Sequence, residues 1–293
     1  MTKKLSVIIV TYNSKQHIFD CLDSIIKYND IEDSLEIIVV DNCSNDQQEM
    51  FDVIVSKYSF PIKLITSTHN GGYGSGNNQG VAISEAPYFV VINPDVRLIQ
   101  PIFKRALSVF SSSNNIGLIG LKQLDEHHNS EISFFYRREY QTFINTTILL
   151  KVLNKLNLYI EKKMFPSGAL FFFDKKAFQD AGCFDENIFM YGEENDILNR
   201  LNAIGKKAQY VSQLKYVHLM GDRTLPNTEV FLRQINSYMY YCDKYNLPRR
   251  KVLKRILLKL QYKKIYYILC NNNLMKKKIQ NQVNLLLEKM TTN

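Results

Sequence analysis

The sequence predicts an α/β fold, a mostly parallel sheet flanked by helices, followed by a helical C-terminal extension. Three observations carry this. Short β-branched or apolar runs recur at residues 5–10, 36–40 and 88–92, with a weaker one at 62–65. Between them lie segments of helical period: residues 15–28 put Ile18, Cys21, Leu22, Ile25 and Ile26 on one face, and residues 46–58 group Met50, Val53 and Ile54. Strands alternating with helices of about 10–15 residues are βαβ units, which build parallel sheets. Finally, the chain reads as helical from Pro226 to its end, with Leu253, Ile256, Leu257 and Leu260 forming an apolar stripe amid Lys and Arg.

In such sheets ligands bind beyond the carboxyl ends of the strands. Those ends here read Thr11-Tyr12-Asn13, Asp41-Asn42 and Asn93-Pro94-Asp95, all polar. The second half is less regular. Residues 168–173 read as a strand and 175–181 as a short helix. Residues 193–204 form an amphipathic helix on Ile197, Leu198, Leu201 and Ile204. Residues 121–165 read as an insertion that mixes a hairpin near 132–136 with a helical stretch.

Composition bounds the function. The chain has 293 residues, 45% hydrophobic and 22% charged, enough for a real core and too apolar for wholesale disorder. No apolar run approaches the ~18–20 residues of a membrane-spanning helix, and the opening run reads as a buried strand rather than a signal peptide. Five scattered cysteines without a Cys-x-x-Cys pair argue against a disulfide framework or a zinc site and suit a reducing compartment. The net charge of +9 is unevenly spread: residues 244–293 hold 13 Lys and Arg against one acid, Glu288, so the rest is slightly acidic. That excludes a uniformly basic nucleic-acid binder and leaves a tail suited to phosphates or an anionic membrane surface.

Four constellations could carry chemistry. The run from His69 to Gly80 is the densest glycine cluster, suited to close approach by phosphate oxygens or simply to a flexible loop. It lacks the Gly-Lys-Ser/Thr of a Walker loop and follows the third strand, not the first, as a dinucleotide fingerprint would. Asn93-Pro94-Asp95 could place a carboxylate on a divalent cation, although the same tripeptide makes an ordinary turn. Phe184 to Asp196 gathers acids at a helix start, where they could cap the helix dipole or supply a general base. His218 could ligate a metal through a neutral imidazole.

The order and combination of these pieces resemble the family-2 glycosyltransferases with the GT-A fold, especially the rhamnosyltransferase-like branch. The resemblance runs from Leu5 to about Thr224. It rests on Ser6-Val-Ile-Ile-Val-Thr-Tyr-Asn13, Val40-Asp-Asn-Cys-Ser-Asn-Asp46, Asn70 to Gly80 and Ile92-Asn-Pro-Asp-Val96. It continues through Ser167-Gly168, Gly182-Cys-Phe-Asp-Glu186, Phe189-Met-Tyr-Gly-Glu-Glu-Asn-Asp196 and His218-x-x-Gly221. It implies a transferase domain over residues 1–225, with a nucleotide-sugar half at 1–120 and an acceptor half at 121–225. A basic helical extension over 226–293 follows.

The resemblance also implies roles. Thr11, Tyr12, Asn13 and Asp41 would hold the nucleoside; Asn70, Gly72, Gly76, Asn78 and Asn93 would line the nucleotide-sugar site. Asp95, in an Asn-Pro-Asp form of the family's Asp-x-Asp motif, would ligate Mg²⁺ or Mn²⁺ with His218. The family's Glu-Asp pair stands here as Glu193-Glu194, which puts Glu194 at the position of the catalytic base beside Glu193. The implied reaction is an inverting transfer from dTDP-rhamnose or a UDP-sugar to a glycan or lipid-linked glycan hydroxyl. The implied location is the cytoplasm, peripheral to the inner face of the cell membrane through the basic helices. A homo-oligomer built on those helices and a non-catalytic nucleotide-sugar-binding homologue are the competing expectations. Nucleic acid is not an expected partner.

Overall fold

A computed structural model describes residues 2–219 and 228–291. Its strands are β1 (Leu5–Thr11), β2 (Leu35–Asp41), β3 (Ile62–Thr66), β4 (Tyr88–Ile92), β5 (Val96–Leu98), β6 (Ile116–Leu124), β7 (Phe134–Tyr136), β8 (Met164–Pro166), β9 (Leu170–Asp174) and β10 (Lys207–His218). The helices are α1 (Lys15–Lys27), α2 (Gln47–Lys57), α3 (Gly72–Ile83), α4 (Phe103–Ser112), α5 (Leu150–Lys155), α6 (Lys175–Asp180), α7 (Glu193–Ala203), α8 (Thr228–Lys244), α9 (Arg249–Leu269) and α10 (Asn273–Thr291). Eight strands form one sheet in the order β3-β2-β1-β4-β9-β6-β10-β5. The β3-β2-β1-β4 half is parallel, β9 runs antiparallel to both β4 and β6, and β10 is parallel to β6.

The side-chain alternation of each strand feeds two cores. On one face Val7, Ile9, Ile37, Val39 and Val90 pack against α1, α2 and α4. On the other, Ile8, Phe89, Val91, Phe171 and Phe173 meet α6 and α7. A third core, including Phe231, Ile235, Leu253, Leu260, Ile279 and Leu286, belongs to α8, α9 and α10. The predicted stripe is therefore a buried seam between helices. Helix α8 is also tied to the sheet domain: Lys244 pairs with both Asp185 and Asp196, and Tyr240 and Tyr245 donate to the same two carboxylates.

Several expectations are corrected. The glycine cluster is not a flexible loop but the helix α3, and its glycines let that helix lie on the sheet. A Cβ at Gly76 would come within 2.6 Å of Val10 and one at Gly80 within 2.5 Å of Ile8. On α2, Phe51 rather than Val53 joins Met50 and Ile54 in the core. The expected insertion at 121–165 begins inside β6, so the 120/121 boundary cuts a buried central strand. The expected hairpin is instead β7 paired with the distant β8, which brackets α5. Runs of alternating period cannot reveal which strand is the partner. Gly221, Thr224 and the 225/226 boundary lie outside the described residues.

Candidate functional site

The parallel register places Thr11 opposite Asp41 at the tips of β1 and β2. Both are fully buried. The Asp41 carboxylate accepts from Thr11 Oγ1 at 2.9 Å, from the Ser44 N–H at 2.8 Å and from Ser44 Oγ at 2.6 Å. Tyr12, by contrast, is 49% exposed, and Asn13 links the two tips by accepting from the Asn45 N–H at 3.1 Å. Behind them Asn42 donates to Asn70 Oδ1 and to the Gly72 carbonyl, both at 2.9 Å. Gly72 has φ +85° and packs directly on the Phe189 carbonyl, a conformation and a closeness that a side chain would oppose.

Asn93 extends β4 by donating its N–H to the Ala169 carbonyl at 2.9 Å. The chain then turns through Pro94 and Asp95 into β5, whose Val96 stands opposite His218 at the end of β10. The result is a contact of 3.2 Å between Asp95 Oδ1 and His218 Nε2, both largely buried. Beyond the resemblance, nothing local in the sequence pairs these two residues. The antiparallel β10–β5 ladder supplies the physical reason.

The acids at the start of α7 form the other wall. Gly192 caps the helix with φ +118° and the buried Arg138 guanidinium packs over it. Burial raises the Glu193 carboxyl well above the usual carboxylate range, and the neighbouring Glu194 charge adds to this. Glu193 Oε2 has no hydrogen-bond partner among the described residues. Glu194 is also raised by burial, opposed by backbone N–H groups of its own turn and by the Arg138 charge. Both carboxyls are thus held above the usual carboxylate range, and the two glutamates titrate as one coupled pair. Gly168 makes room for that side chain: a Cβ there would stand 2.6 Å from Glu194 Oε1. Tyr73, from α3, donates its hydroxyl to the Gly168 carbonyl at 2.8 Å and so couples the two walls.

Glu193, Glu194, Asn93 and His218 line one cavity of about 1280 Å³ together with Tyr73, Ser167 and Gly168. Thr11, Tyr12, Asn13 and Asp41 sit at the β1–β2 tips, and Asn70, between β3 and α3, joins them through Asn42. Gly76 and Asn78 do other work. The first faces Val10, and the second clamps the chain near Phe184 by exchanging hydrogen bonds with its backbone at 3.0 Å each way. Two features escaped the sequence. Arg138, stacked between Tyr238 and Tyr241 at 4.0 and 4.9 Å, acts on the glutamates only through tertiary folding. The far wall of the cavity, which includes Lys263, Tyr267 and Lys278, comes from α9 and α10. The basic composition of that segment was its one visible signal.

Comparison with known proteins bears on the family and the fold. The family model described as Glycosyl transferase family 2 matches residues 6–182. A Staphylococcus aureus poly(ribitol-phosphate) beta-N-acetylglucosaminyltransferase, TarS, is 30% identical over 129 residues, 43% of this chain and 20% of that protein. This chain therefore aligns with about a fifth of that relative's length. A Haloferax volcanii low-salt glycan biosynthesis hexosyltransferase is 24% identical over 268 residues, covering 89% of this chain and 80% of the relative. Among solved structures, S. aureus TarS 1-349 in complex with UDP superposes with a TM-score of 0.53 at 15% identity, covering 99% of this chain and 72% of that one. A Pyrobaculum calidifontis mannosyltransferase with GDP-Man and Mn²⁺ gives 0.60 at 14% identity, with 98% and 88% coverage. These structures share the fold, the GT-A arrangement of a mostly parallel sheet between helices.

Proposed function

The chain belongs to glycosyl transferase family 2, and from that membership we propose that it transfers a sugar from a nucleoside diphosphate donor to a hydroxyl of a cell-surface glycan or its lipid-linked precursor. The observation that carries this reading is the single cavity joining Asn93 and His218 to Glu193 and Glu194. It offers a diphosphate edge and a base edge within one cleft. Glu194 takes the proton of the acceptor hydroxyl, which attacks the anomeric carbon from the face opposite the departing nucleoside diphosphate. Such a single displacement inverts the anomeric centre. Glu193 and the Arg138 charge set the field in which Glu194 works. Tyr12, Asn13 and the Thr11–Asp41 pair frame the nucleoside, with Asn70 and Gly72 beside them.

The donor set at Asp95 and His218 fits a divalent cation. A carboxylate oxygen and an imidazole nitrogen 3.2 Å apart are spaced as neighbouring ligands of one ion. Cations of this kind commonly take one or two protein donors and complete their shell with phosphate oxygens and water. A bound Mg²⁺ or Mn²⁺ supplies charge neutralisation for the leaving diphosphate. Support for Mn²⁺ comes from the mannosyltransferase neighbour, whose structure contains it.

The donor is a pyrimidine nucleoside diphosphate sugar, either dTDP-rhamnose or a UDP-sugar. The UDP in the TarS neighbour supports the latter. Calorimetric titration with dTDP-rhamnose, UDP-glucose, UDP-galactose and UDP-N-acetylglucosamine, with and without Mn²⁺, tests the reading. Metal-dependent binding of one of them supports it, and binding without any turnover of the bound donor would favour the non-catalytic alternative.

The protein also meets the membrane from its surface. No helix among the described residues is long and apolar enough to cross a membrane. Exposed Ile144 and Ile148 join exposed Leu258, Ile265 and Leu269 through the contact between the Phe143 and Tyr262 rings. Helix α9 also carries Lys251, Lys254, Lys259, Lys263 and Lys264, and basic charge with exposed apolar side chains on one helix favours anionic bilayers. Sedimentation with phosphatidylglycerol vesicles, but not with phosphatidylcholine vesicles, is the expected result. A dimer that buries the patch instead would show as a doubled mass.

A further inference from the structure

The cavity that holds the glutamates is larger than a sugar at its reaction centre requires, and its remaining wall is not part of the sheet domain. Helix α9 contributes Lys263 and Tyr267, and α10 contributes Met275, Lys278 and Ile279. Residues 244–293 contain 13 Lys and Arg and one acid, so these helices cannot neutralise themselves. Neither Lys263 nor Lys278 has a carboxylate partner among the described residues. Burial, with the neighbouring charges of Arg255 and Lys263 adding to it, pushes the Lys259 ammonium down to about 8.

A wall with unneutralised ammonium groups beside apolar side chains is poorly suited to a neutral glycan, which offers no counter-charge. It suits a ligand that alternates phosphate with carbon chain. The position is equally specific. An acceptor whose hydroxyl reaches Glu194 shares one cavity with the wall that α8, α9 and α10 build.

We propose that α9 and α10 form the acceptor subsite of this cleft, and that Lys263 and Lys278 bind a phosphate group of the acceptor. This inference rests on the reading of the cleft as a transferase site and adds the chemistry of its second substrate. A phosphodiester along a polyol-phosphate chain and the diphosphate of a lipid carrier present the same group.

The test uses the full chain and three probes: a fluorescent glycerol-phosphate hexamer, farnesyl diphosphate and the uncharged maltohexaose. Wild-type protein binds at least one phosphate probe and prefers it to maltohexaose. Binding weakens as salt is raised. The Lys263→Gln/Lys278→Gln pair loses about tenfold or more in that affinity, as expected for two charge-assisted contacts. The control pair Lys251→Gln/Lys277→Gln removes the same charge from exposed positions of the same two helices and keeps it. Preference for the hexamer assigns the polymer as the source, and preference for farnesyl diphosphate assigns the lipid carrier.

Equal binding of maltohexaose, unchanged affinity in the Lys263/Lys278 pair, or an equal loss in the control pair would overturn the inference. Nucleotide-sugar titration of the same preparations separates the two levels. Retained donor binding with no phosphate preference overturns the acceptor subsite alone, whereas loss of donor binding in wild-type protein strikes the transferase reading beneath it.

Discussion

Two acidic edges, one lining the cleft and one at the β1–β2 tips, are built on opposite principles. At the β1–β2 tips, Asp41 is fully buried and answered by three donors within 2.9 Å, two of them from Ser44 alone. At the start of α7, Glu193 and Glu194 are buried together, both raised by desolvation, and one Glu193 oxygen has no hydrogen-bond partner among the described residues. A satisfied carboxylate fixes a shape, while a carboxylate held above its ordinary range is ready to exchange a proton. The first edge is framework and the second is chemistry.

Neutralising the reactive edge is the most severe test of this contrast. Glu194→Gln keeps size and burial but cannot accept a proton. Loss of a positioned general base costs about 10²–10⁴-fold in rate, so transfer should fall by that amount while calorimetric donor binding persists. A wild-type rate in this variant would move the base elsewhere. Because burial raises Glu194, the acid limb of the wild-type pH–rate profile should lie above ~4.3, the ordinary Glu value. Activity appears as the pH rises through that limb, because the ionised form is the base.

The corresponding change at the framework edge should act on folding. Asp41→Ala leaves the buried Thr11 hydroxyl and the two half-buried Ser44 donors unanswered. Each orphaned group costs about 1–3 kcal/mol, so urea unfolding should report a loss of about 3 kcal/mol. A variant of wild-type stability with lost nucleotide binding would make Asp41 a ligand contact first and a structural residue second.

A milder change probes how the reactive edge is held. Gly168→Ala places a methyl 2.6 Å from Glu194 Oε1 and 3.0 Å from the Phe171 ring. The base must shift by several tenths of an ångström, and since acid–base catalysis depends on reach, kcat should drop about tenfold with KM for the donor little changed. Equal loss in both constants would mean that the methyl disturbs the donor pocket rather than the base.

How far each edge could be read from sequence follows from the same contrast. The β1, β2 and β4 tips were visible because strand and helix periods are local, and Asn93, Asp41 and Thr11 sit where those periods end. The Glu193-Glu194 doublet was visible as a helix start, but its environment was not. Arg138 lies in a stretch without periodicity and reaches the glutamates only because β7 pairs with β8 and α8 stacks Tyr238 and Tyr241 against it. The glycine cluster misled for a physical reason: glycine permits a loop, and it equally permits a helix to press on a sheet, as Gly76 does on Val10. The tail read as basic, but its charge could not show that α9 and α10 face the cleft.

The smallest expected effect concerns Glu193, and it decides whether the two glutamates really differ. Its folded-state carboxyl is raised, so the native protein keeps that proton at pH values where the unfolded chain has released it. The native state then binds more protons than the unfolded state, and stability must fall as pH rises from ~4.3 toward the raised value. Glu193→Gln removes the titration while keeping a polar amide of the same size. Its stability relative to wild type should therefore increase across that window, by about 1.4 kcal/mol for each tenfold fall in proton concentration. Urea unfolding at several pH values reads this directly. A difference that stays flat with pH would mean that Glu193 is ionised in the folded protein, and that Glu194, not Glu193, holds the shared proton.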